Sequence, residues 1–170
     1  MIAQFLYYIA LFAFGLGLCI AAYSDIKRRR ISNKLTLTLA LVAIGIVVLS
    51  YLMGRFPLSH VWAYFVTGGV VFILCFLMFY FGIMGGGDAK LIPSVALVAG
   101  PFYLAEFIVF MALTGGILAV MMLTARRIIP EENHVKYMLD KLPYGVAIAA
   151  GGCFILQKML VLSIKGVGYV

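Results

Sequence analysis

Charge is scarce in this chain, and negative charge is scarcer still. Only 11% of the 170 residues are Asp, Glu, Lys or Arg, and six are acidic, so any carboxylate chemistry has few candidates. A soluble domain covers its outside with polar side chains. A chain that is 65% hydrophobic cannot do so, and the bilayer is the solvent it implies. Paired cysteines are absent as well. Cys19, Cys75 and Cys153 each sit in an apolar run and none belongs to a C-x-x-C pair. That pattern argues against a zinc site or a disulfide framework and reads all three as buried small hydrophobes. The two histidines, His60 and His134, are far apart and fall in expected loops. No Ser–His or Cys–His set is available for nucleophilic catalysis.

The net charge of +7 raises the question of nucleic acid. Here the basic residues interrupt apolar runs and form no stripe, so membrane topology explains them and no nucleic-acid partner is expected.

Apolar runs long enough to cross a hydrocarbon core of about 30 Å set the fold class. They lie at about Ile2–Ser24, Leu35–Met53, Val61–Met84, Ala89–Gly100, Phe102–Thr124 and Leu142–Leu162. The expectation is an all-α, polytopic membrane protein with six helices in a single membrane-embedded domain, residues 1–170. The first run is too long for a signal-peptide core and has no basic n-region, so it is expected to remain. The fourth is short: 12 residues rise only about 18 Å. Gly100-Pro101 should break or kink it, so either the helix continues through that kink or Asp88 at its start lies below the membrane surface.

Lys and Arg set the orientation. Lys27, Arg28, Arg29, Arg30, Lys34, Lys90, Arg126, Arg127, Lys136 and Lys141 fall in the first, third and fifth connections. Arg55, Lys158 and Lys165 fall on the other side. This asymmetry places the odd connections in the cytoplasm and both termini outside. Paired glycines at Gly68-Gly69, Gly115-Gly116 and Gly151-Gly152 suit close helix packing.

The acidic residues can be taken singly. Glu131, Glu132 and Asp140 fall in the polar fifth connection and read as solvated, as does His134. Glu106 lies about a turn into the fifth span, where a helix-contact role is the default. Asp25 ends the first helix, where alone it would read as an interfacial carboxylate. Asp88 follows Gly85-Gly86-Gly87 and opens the fourth, where alone it would read as an N-cap. Under the topology above both aspartates lie at the cytoplasmic face at similar depth. Two carboxylates so placed are what an aspartic protease needs: one ionised to deprotonate water, one protonated to polarise the scissile carbonyl. By helix-dipole direction, Asp88 would be the base and Asp25 the proton donor. No cofactor or metal is called for, because water activation falls to carboxylates.

The residues around these aspartates resemble the motifs of the type IV prepilin peptidases, G-x-G-D aspartic membrane proteases. The first is Asp25-Ile26-Lys27-Arg28-Arg29-Arg30-Ile31-Ser32-Asn33. The second is Gly85-Gly86-Gly87-Asp88-Ala89-Lys90, and a weaker third is Pro143-Tyr144-Gly145. Val146 stands where many relatives have proline, which loosens the match at Tyr144. With no C-x-x-C pairs, the chain is similar to the short, peptidase-only TadV/CpaA branch that serves Flp pili, without the zinc-binding and methyltransferase insertion.

The resemblance implies Asp25 and Asp88 as the catalytic pair. It implies Gly85, Gly86, Gly87, Lys90, Asn33 and Tyr144 as substrate or active-site loop residues. It also implies a substrate: a pilin precursor with a short basic leader before an apolar helix, cut at the cytoplasmic face of a prokaryotic inner membrane, commonly after glycine. The run from Lys27 to Arg30, with Lys90, would not attract a basic leader and reads mainly as a topology and membrane-lipid anchor. The competing expectation is a small transporter or channel subunit whose aspartates bind a cation or proton. A non-catalytic assembly protein would need neither aspartate.

Overall fold

The computed structural model describes residues 2–128 and 143–165. Glu131, Glu132, His134, Lys136, Asp140, Lys141 and Leu142 therefore lie outside the described residues. The described chain is all-helical: α1 Ile2–Arg28, α2 Asn33–Leu52, α3 Leu58–Tyr80, α4 Asp88–Ile128 and α5 Tyr144–Ile164. All five are long and apolar enough to cross a membrane.

The fourth and fifth expected spans form one element, α4, broken at Gly100 (φ 60°, ψ −171°). The break bends the element sharply. Val95 and Phe107 lie against adjacent glycines of α5, Gly152 and Gly151. Residues 95 and 107 on a continuous helix would be about 18 Å apart. Gly100 is required here twice over. Its φ lies in the left-handed region, and a Cβ at this position would overlap the Tyr64 ring. Pro101 then opens the second arm, where its missing N–H costs nothing.

The first arm, residues 88–99, is the centre of the bundle. From Leu91 to Gly100 every residue is buried, which accounts for an arm that is apolar on all sides. α5 packs on α1 and α4, α3 packs on α4, and α2 packs on α1 and α4. Glu106 in the second arm meets Lys158 of α5 at 2.6 Å, with the ammonium also over the Tyr103 ring. The helix-contact role expected of Glu106 is the one it has. At the opposite end of α5 from Gly145, Arg55 donates to Ser163 and covers the Tyr7 ring, and Ser163 donates to Tyr8 at 3.0 Å. Those contacts tie the α2–α3 turn to the ends of α1 and α5.

Several expectations need correction. α1 runs on to Arg28, so Asp25 lies inside its last turn, and α3 stops at Tyr80. His60 is in the first turn of α3, edge-on to Phe102, and not in a loop. Cys75 is buried as expected, but Cys153 is only partly buried and Cys19 faces outward, where an apolar thiol suits lipid.

Candidate active site

Three chain segments converge at one end of the bundle. The first is the end of α1. The Arg29 N–H closes the helix on the Asp25 carbonyl at 2.9 Å. Arg29 has φ 51°, the one positive φ among the described non-glycine residues. A left-handed residue after a helix turns the chain sharply, at a cost of roughly 1–2 kcal/mol when it is not glycine. The turn is held by Ser24 Oγ, which donates to the Arg30 carbonyl at 2.8 Å. Ser32 then caps α2, accepting from the Leu35 N–H at 3.2 Å. The basic stretch is thus a structured connection as well as a run of positive charge.

The second segment is the glycine turn. The N–H groups of Ala89 and Leu91 donate to the carbonyls of Gly85 and Gly87, starting α4 with Asp88 as its first residue. At Gly87 a Cβ would fall 3.1 Å from that of Ile31, so the α1–α2 connection lies directly on the turn.

The third is the start of α5. The Gly145 N–H donates to Asp25 Oδ2 at 2.8 Å. It is one of the otherwise unpaired donors of a helix N-terminus. A Cβ at Gly145 would stand 2.9 Å from both Cβ and Oδ2 of Asp25, so the contact admits only glycine without a shift.

These segments enclose a cavity of about 240 Å³ lined by Asp25, Arg29, Arg30, Ile31, Gly85, Gly86, Gly87 and Asp88. Asp25 is 8% exposed. Asp25 sits at the C-terminal end of α1 but against the N-terminus of α5, while Asp88 sits at the N-terminus of α4. Both carboxylates therefore meet a helix N-terminus, and dipole direction does not separate their roles as expected from α1 alone. Among the described residues no group of three or more His, Cys, Asp or Glu could hold a metal ion.

Of the sequence candidates, the cavity gathers Asp25, Gly85, Gly86, Gly87 and Asp88. Asn33 and Lys90 bond to each other, Lys90 Nζ to Asn33 Oδ1 at 2.9 Å, and line a neighbouring groove instead. Tyr144 is 55% exposed; its neighbour Gly145 makes the contact with Asp25. Gly145 was legible only as the last letter of the Pro-Tyr-Gly element. For Arg29, Arg30 and Ile31 nothing in residue type or spacing separates cavity lining from topology.

Comparison with known proteins adds one match. The model of the type IV leader peptidase family covers residues 12–120, a stretch that contains both aspartates and the glycine turn. No curated protein and no solved structure matches the chain.

Proposed function

Because this chain belongs to the type IV leader peptidase family, we propose that it is a membrane aspartic endopeptidase whose catalytic pair is Asp25 and Asp88. The observation that carries this reading is the shared cavity: two motif aspartates, 63 positions apart in the chain (25 to 88), line one small space. Two carboxylates lining one small cavity disfavour each other's ionisation, and in this reading they hold one proton between them. The ionised partner takes a proton from water, whose oxygen attacks the scissile carbonyl. The protonated partner hydrogen-bonds the carbonyl oxygen as negative charge develops there. Collapse of the tetrahedral species, with proton delivery to the departing nitrogen, releases the leader and leaves a new amino terminus on the apolar helix.

The proposed substrate is a pilin precursor of the Flp type, with a short basic leader, and the proposed site of cleavage is the cytoplasmic face of the inner membrane. In this reading the two arms of α4 count as separate crossings, giving six, with both termini outside, in a single peptidase domain. What supports it is the distribution of charge. Lys27, Arg28, Arg29, Arg30 and Lys90 share the end of the bundle that holds the cavity, and Arg126 and Arg127 close α4. Arg55 and Lys165 belong to the opposite end. The transporter reading draws no support from the family match.

The test is co-expression with a precursor that carries a basic leader ending in glycine. The precursor should shorten, and sequencing of its new amino terminus should begin directly after that glycine. A precursor left full-length beside abundant enzyme would overturn the reading.

A further inference from the structure

α2 and α3 are consecutive and joined by a short turn, yet they barely touch; each leans on the first arm of α4 instead. Between them runs an open groove of about 630 Å³. One wall is α2, from Asn33 to Ile44, which is about 16 Å of helix, or three turns. The other is α3. There Gly68 packs against Leu97, while a Cβ at Gly69 would meet nothing within 4 Å among the described residues. The groove is apolar along its length and polar at one end, where Lys90 donates to Asn33.

That polar end adjoins the carboxylate cavity without sharing a lining residue with it. Asn33 follows Ile31 by two residues and Lys90 follows Asp88 by two, and both Ile31 and Asp88 line the cavity. We infer that the groove between α2 and α3 seats the apolar helix of the precursor while its leader lies across Asp25 and Asp88. This rests on the peptidase reading and assigns the substrate's second binding site.

A peptide that changes from extended and polar to helical and apolar within a few residues matches the succession of cavity, polar junction and apolar groove. In a bilayer apolar contact alone does not select a helix over lipid, because acyl chains are equally apolar. Selection comes from shape: small residues such as Ala40 and Gly69 on facing walls let a second backbone approach closely. An acyl chain with its headgroup at Lys90 is the rival occupant, and it has no need of a neighbouring cavity. Asn33 and Lys90 then mark the point where the substrate helix begins, which gives both a place in recognition outside the carboxylate cavity.

The test uses Asp25→Asn enzyme, with Cys19, Cys75 and Cys153 replaced, and carries single Ala40→Cys, Gly69→Cys or Gly116→Cys changes. Gly116 lies in a different outward-facing groove, on the second arm of α4, and it too has room for a side chain. The probe is a synthetic membrane peptide with a basic leader ending in glycine, about 20 apolar residues and one cysteine in its first helical turns. Disulfide cross-linking should be several-fold greater at positions 40 and 69 than at 116, and should be lost on adding excess cysteine-free peptide. Equal cross-linking at all three positions overturns the groove, as does preferential labelling of 40 and 69 by a photoreactive phospholipid in the presence of peptide. Cleavage of the same peptide by enzyme with Asp25 intact separates the two levels. Cleavage without selective cross-linking sinks the groove alone, and absence of both sinks the peptidase reading with it.

Discussion

The amide of Gly145 hydrogen-bonds Asp25 Oδ2 at 2.8 Å, fixing a carboxylate on the first helix by the start of the last. The two residues are 120 positions apart in the chain.

Gly145→Ala should separate activity from stability. Alanine favours a helix over glycine by about 1 kcal/mol, so helix formation gains. The added Cβ would stand 2.9 Å from Asp25 and must push its carboxylate aside. Misplacing a catalytic group by about 1 Å can cost about 100-fold, and kcat is expected to fall on that scale while thermal stability holds. Tyr144→Ala, at an exposed neighbour, should cost much less. Measuring kcat and Tm of both variants in detergent checks the contrast; equal losses would remove the special standing of Gly145.

Topology gives a second expected outcome. Single cysteines introduced at Ser32 and Ser59, both exposed, lie at opposite ends of the bundle. In intact cells lacking other thiols in this protein, the Ser59→Cys variant should react with an impermeant maleimide and the Ser32→Cys variant should not. The reverse labelling would put the carboxylate cavity on the outer face.

The pH dependence should belong to the pair. Below both apparent pKa values neither carboxylate can serve as base; above both, neither carries a proton for the carbonyl. The plot of kcat/KM against pH should therefore be bell-shaped, falling on the acid side for want of a base and on the alkaline side for want of an acid. A rate that rises through about pH 6.5 and stays level would point to a histidine base instead.

Much of the fold could be read from residue order, because apolar length is a strong signal and Gly100-Pro101 marks its own break. The direction of the break was less legible. How α4 bends at residue 100 depends on what Val95 and Phe107 touch, and contact partners leave no trace in an apolar run whose lipid-facing and protein-facing sides have similar chemistry. The same ambiguity hid the outward position of Cys19 and the groove beside Gly69. At the site, Asp25, Asp88 and the glycine turn stood out because charge and glycine clusters are rare against such a background. Arg29 and Arg30 did not, since positive charge at a membrane face has a sufficient reason in topology. The Pro-Tyr-Gly element pointed to Tyr144, whereas the contact is made by a backbone N–H, a group every non-proline residue has.

The central claim is that Asp25 and Asp88 together perform the cleavage, and isosteric removal of each carboxylate tests it most directly. A precursor with a basic leader is co-expressed with wild type, with Asp25→Asn and with Asp88→Asn, and its size is followed beside the membrane content of each enzyme. Wild type should convert the precursor, and each variant should leave it full-length while inserting normally. Full conversion by either well-expressed variant would contradict the account.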